Sequence, residues 1–119
     1  MVGVADHSIE VPEGGVEEWW ILQAAGDVKA SLPKIEEYGG ERGSTDLWIM
    51  GSALAELLDM HGVDDAVKLE MACWFYSLGK VSRLVSDYKR GERGKPDTWF
   101  DLSVYAMMAR RIQQSGNWP

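Results

Sequence analysis

Cysteine is almost missing from this chain: Cys73 is the one thiol in 119 residues. No disulfide framework and no zinc site can be built from it, which points to a reducing compartment. Positive charge is also scarce. Twelve Lys and Arg stand against nineteen Asp and Glu, for a net charge of −7. An acidic surface repels both phosphate backbones and anionic headgroups, so polymeric nucleic acid and membranes are excluded as general partners. No apolar run reaches the roughly 20 residues that a membrane-spanning helix needs. The first residues lack the basic-then-apolar order of a signal peptide, and a cytoplasmic location is expected. Histidine is limited to His7 and His61, and neither sits in a recognisable partner motif for a thiol. Cys73 therefore reads as a small hydrophobe rather than a nucleophile. Finally, no strand pattern extends beyond the first residues, and there is no internal repeat.

What is present is helical periodicity around an apolar fraction near one half. Residues 1–15 read as an irregular arm that ends at Pro12 and Gly14-Gly15. Residues 16–119 read as a single helical domain, an all-α bundle of four or five helices. The first helix opens near Val16 with Glu17 and Glu18 in its first turn, where the helix dipole favours acids. Pro33 should interrupt it, because proline lacks the amide and clashes with the preceding turn. A short helical piece, 34–38, should follow and stop at Gly39-Gly40. A glycine-rich loop through Ser44 then leads to a helix over 46–60, with Leu47, Met50, Leu54, Leu57 and Leu58 on one stripe. The longest helix covers about 64–90, and its core stripe is expected to be Val67, Met71, Trp74, Leu78, Val81 and Val85. The last helix runs from Pro96 to about Gln114, with proline and Asp97 as start signals and Val104, Met108 and Ile112 as its stripe.

The stretch from Lys80 to Tyr105 carries the chemistry. Lys80 and Arg83 lie near the end of one helix, a basic loop spans Lys89 to Lys95, and Asp97, Asp101 and Tyr105 share a side of the next helix. Carboxylate oxygens for Mg2+ beside Lys or Arg for phosphate is the mixture that phosphate chemistry requires. On a helical wheel Glu70 falls within the expected stripe of its helix, where a carboxylate is costly unless paired or bound to a metal. Glu70, Asp97 and Asp101 are expected to form one partly buried cluster between the last two helices. Their mutual repulsion should raise at least one carboxylate pKa, so that Asp101→Asn should leave metal-free stability unchanged or better.

These residues resemble the all-α nucleoside triphosphate pyrophosphohydrolases, the MazG-like superfamily, and its small phage-type members most. The resemblance is carried by Lys34-Ile35-Glu36-Glu37-Tyr38-Gly39, by Asp46-Leu47 through Leu54, by Phe75 through Arg83, by Asp97 to Tyr105, and by Gly116-Asn117-Trp118-Pro119. It covers about residues 30–119. It implies a helical bundle that oligomerises and cleaves a nucleoside triphosphate between its α- and β-phosphates with Mg2+ or Mn2+. The family's acids come as Glu-x-x-Glu and Glu-x-x-Asp sets on successive helices. Asp101 matches the last acid, Thr98 stands at its Glu, and Asp97 is one residue earlier. On the preceding helix Glu70 is the candidate, with Cys73 three residues later.

On this reading Glu70, Asp97 and Asp101 hold the metal. Arg42, Lys80 and Arg83 hold phosphate oxygens, Tyr105 packs on the base, and Glu37 or Glu56 positions the water. The rival reading is a non-catalytic helical module that binds a nucleotide or another protein. A homodimer or higher homo-oligomer is expected in either case, because six tryptophans and many Met and Leu residues exceed what one short bundle readily hides.

Overall fold

The structure, a computed structural model, describes residues 7–119, apart from the side chain of Arg42. Four helices and no strand are found among these residues: α1 (Val16–Gly39), α2 (Glu41–Leu57), α3 (Asp65–Lys89) and α4 (Pro96–Ser115). The all-α bundle expected from periodicity is what the chain forms.

α3 is the central helix, packed along both α2 and α4, while α1 lies more loosely over α2 and α4. The core is built from Leu47 of α2, Leu69, Ala72 and Cys73 of α3, and Phe100, Val104, Tyr105, Met108 and Ile112 of α4, closed by Trp118. α2 and α3 approach closely at Gly51, where any Cβ would collide with the Lys68 carbonyl. α4 starts at Pro96, as its sequence signals require, and ends at Gly116. That glycine takes a left-handed φ of 77° and returns its N–H to the Ile112 carbonyl at 2.7 Å. Trp118 then folds back, its indole N–H donating to the Tyr38 carbonyl at 2.7 Å.

Three expectations are corrected. Pro33 does not break α1, which runs through it for 24 residues. The carbonyl that loses its partner belongs to Lys29, and both residues are exposed, so water can satisfy it. The glycine-rich loop shrinks to Gly40 alone, because Glu41 to Thr45 join α2. The third concerns α3. Its buried face is Leu69, Ala72, Cys73, Leu84 and Asp87, with Tyr76 packed against the core. Val67, Trp74, Leu78, Val81 and Val85 are exposed instead. The helix carries two faces with helical spacing, and the more apolar one is not the one its own bundle covers.

Residues 7–15 are irregular apart from a tight turn at His7. They are pinned to the bundle by Ile9 N–H on Gln23 (3.0 Å), by His7 against Asp27 (2.7 Å) and by His7 edge-on to the Phe100 ring.

Candidate functional site at the α3–α4 corner

The inward phase of α3 brings Lys80 over α4, where Asp101 waits one turn after Asp97. Lys80 Nζ donates to Asp101 Oδ2 at 2.8 Å, and Lys34 Nζ of α1 stands 3.7 Å from Oδ1. The three side chains are mostly buried, at 15%, 24% and 10% exposure for Lys80, Lys34 and Asp101. Two ammonium groups on one carboxylate leave a formal surplus of one positive charge at a partly buried place.

Beside this triad lies an aromatic cluster. Tyr76 of α3 stacks on Tyr105 of α4 with ring centres 5.8 Å apart, and Tyr38 of α1 meets Tyr105 hydroxyl to hydroxyl at 3.5 Å. Burial, helped by the Tyr38 hydrogen bond, pushes the Tyr105 phenol well above its ordinary range. Burial also raises Tyr76, assisted by the negative charge of Asp46. Both phenols are therefore neutral donors at physiological pH.

One turn further toward the α3–α4 loop is a cavity of about 310 Å³, lined by Ser82, Arg83, Ser86, Asp87, Arg90, Lys95, Asp97 and Thr98. Asp87 at its floor is 4% exposed and is held by Arg90, with Lys95 Nζ 3.9 Å away. Asp97 differs. Its Oδ1 is buried and finds no hydrogen-bond partner among the described residues. A buried carboxylate oxygen left without a partner carries a desolvation cost, and a cation or a donor from a ligand removes it.

The expected site residues divide into two groups. Lys80, Arg83, Asp97, Asp101 and Tyr105 are brought to this corner. Glu70 is not. It accepts from Gln113 at 2.8 Å, and Gln113 lies about 18 Å along α4 from Asp101 at 1.5 Å per residue. The expected triple cluster of Glu70, Asp97 and Asp101 is therefore not formed. The physical reason is the phase of α3: once Ala72, Cys73 and Tyr76 face inward, Glu70 is carried to the flank. Among the described residues no group of three or more His, Cys, Asp or Glu side chains is placed to hold a metal ion. Glu56 is 77% exposed at the end of α2, beside His61 and at the opposite end of α3 from Arg83. Glu37 is exposed on α1 next to Tyr38. Arg42 lies outside the described side chains. Cys73 is buried, and burial followed by the charge of Glu70 pushes its thiol up to about 11, so it is no thiolate nucleophile at neutral pH.

Lys34, Tyr38, Tyr76 and Asp87 join the site without having been given a role in it, and Arg90 and Lys95 come from the basic loop that the sequence marked. Lys34 and Tyr38 are one turn apart, a spacing that puts both on one face of α1. That spacing was available in the sequence; which face α4 would meet was not.

No protein-family model matches this chain, and no curated protein or solved structure is similar to it. These comparisons lend no support to the expected resemblance to the MazG-like superfamily.

Proposed function

We propose that the chain binds a nucleoside triphosphate by its phosphates at the α3–α4 corner and cleaves it between the α- and β-phosphates in a Mg2+-dependent reaction. The observation that carries this reading is the unpartnered Asp97 oxygen beside a cavity bearing Arg83, Arg90 and Lys95. Mg2+ keeps most of its water and takes one or two carboxylates together with substrate phosphates, rather than an all-protein cage. Asp97 alone can meet that requirement. Asp101, already held by two lysines, and Glu70, far along the helix pair, do not fit as its partners. When bound, Mg2+ neutralises charge on the phosphates.

The protein's own groups have distinct tasks. Arg83, Arg90 and Lys95 offer donors for phosphate oxygens. Lys34 and Lys80 add the surplus charge beside them and hold Asp101 in place. In the cleavage, water oxygen bonds to the α-phosphorus while the bond to the α,β-bridging oxygen breaks. Pyrophosphate leaves, and the water's proton passes to solvent or to a nearby carboxylate.

Binding without cleavage is the second reading, favoured by the engagement of Asp101 with Lys34 and Lys80 in place of an open acid set. One experiment separates the two. A panel of nucleoside triphosphates with Mg2+ is followed both by pyrophosphate release and by the rise in melting temperature. Release that is lost in Asp97→Asn supports the enzyme. A nucleotide-dependent rise that Arg83→Ala removes, with no release, supports the binding module. Neither signal with any nucleotide rejects both.

A further inference from the structure

The outer face of α3 is a feature that the phosphate site does not use. Val67, Met71, Trp74, Leu78, Val81 and Val85 alternate four and three residues apart, the heptad spacing of a coiled-coil seam. The bundle leaves this row open: Trp74 is 54% exposed and Leu78 49%. We propose that this face is the seam of a homodimer, in which the α3 helices of two copies pack antiparallel about a two-fold axis near Leu78.

Shape, charge and exposure each favour a second copy. The N-terminal half of the row is bulky, with Trp74 flanked by the half-exposed Phe75, and the C-terminal half is slim, with Val81 and Val85. Antiparallel packing sets bulk against slimness twice over, whereas parallel packing would press Trp74 on Trp74. The ends of α3 also differ in charge. Asp64 stands at its start and Lys89 at its finish, while Asp65 and Arg90 are already paired within the chain, with Lys68 and with Asp87 and Glu92. Only the antiparallel arrangement places acids against bases at both ends, and it opposes the two helix dipoles. A two-fold contact requires such self-complementarity, because one patch must serve both sides. Val67, Trp74, Leu78, Val81 and Val85 are 39%, 54%, 49%, 44% and 43% exposed, a continuous apolar strip on which a second copy can pack.

The test is sedimentation velocity of the full chain from low to high micromolar concentration. The wild type should sediment as a dimer. Leu78→Lys should be a monomer with an unchanged helical circular dichroism spectrum, since Leu78 belongs to no part of the buried core. Val28→Lys, on an exposed face of α1, should remain a dimer. A monomeric wild type, a dimeric Leu78→Lys protein, or dissociation by Val28→Lys instead overturns the proposal. Orientation has its own readout. Val67→Cys and Lys89→Cys proteins, mixed under oxidation, should form a mixed disulfide in preference to either self-linked species. Preferential self-linking of both rejects the antiparallel arrangement. The buried Cys73 stays silent in this assay. The dimer does not rest on the phosphate reading, and its failure leaves that reading untouched.

Discussion

The two faces of α3 carry opposite lessons. The inner face holds Leu69 and Leu84 together with the small Ala72 and Cys73 and the charged Lys80 and Asp87, and it is buried or nearly so. The outer face holds Trp74, Leu78, Val81 and Val85 and is open. Burial here follows from which partners the neighbouring helices supply, not from which side of the helix is greasiest. Asp87 is tolerated inside because Arg90 and Lys95 reach it, and Lys80 because Asp101 does. A charge that is paired can be buried where an unpaired one cannot.

Adjacent residues on opposite faces give the sharpest test of that contrast. Leu84 is 4% exposed, and Leu84→Ala should lower the free energy of unfolding by about 2–5 kcal/mol in urea titrations at every protein concentration. A loss within experimental error would show that the inner face is assigned wrongly.

Next in size is the alkaline response of the inner face. The Cys73 thiol rises from 9.0 to about 11 on burial, so its neutral form is favoured in the fold. For a raised acid, the stability it contributes is complete below the unfolded value and is lost as pH climbs to the folded one. Stability should therefore fall between about pH 9 and 11, by up to about 3 kcal/mol for two units at 1.36 kcal/mol each. Tyr105 and Tyr76, both raised from 10.0, add to the decline from about pH 10 upward. Urea denaturation across this range should show the slope, and Cys73→Ala should flatten it.

Asp101→Asn should cost about 1–3 kcal/mol, because it leaves two mostly buried lysines without a charged partner. The carboxylate cluster anticipated from the sequence implied no loss, or a gain. Adding Lys80→Met to Asp101→Asn should recover part of the loss, and recovery of none would detach Lys80 from the pair. The smallest effect belongs to the outer face. Val85→Ala should change unfolding by no more than about 0.5 kcal/mol in dilute protein. With rising concentration its deficit against wild type should grow, as mass action demands of a contact made only between copies.

Much of this fold was legible in the sequence. Pro96 with Asp97 marked the start of α4, the neighbourhood of Gln114 its end, and Val104, Met108 and Ile112 its buried stripe, all as found. Those signals are local: a missing amide, an acid in the first turn, one apolar row with no rival. α3 has two rows, and periodicity alone cannot choose between them. The larger side chains pointed to the wrong row, and with it Glu70 was assigned to the core. Pro33 misled for a related reason, since its penalty depends on whether water can reach the carbonyl it frees. At the site, Lys80, Arg83, Asp97 and Asp101 were legible because all four flank one short loop. Lys34 and Tyr38 were not, because their meeting with α4 is a fact of long-range packing.

The indole of Trp118 closes on the carbonyl of Tyr38, and the Trp118 carbonyl accepts from Ser44 at 3.3 Å, joining positions 80 and 74 residues apart. Tyr38 and Ser44 flank Gly40, where α1 turns into α2. The bend between the first two helices thus depends on residues that leave the ribosome long after it does. Contacts of such long sequence separation are made late and slow folding. During synthesis the turn between α1 and α2 lacks these two hydrogen bonds until the Trp118 segment has emerged.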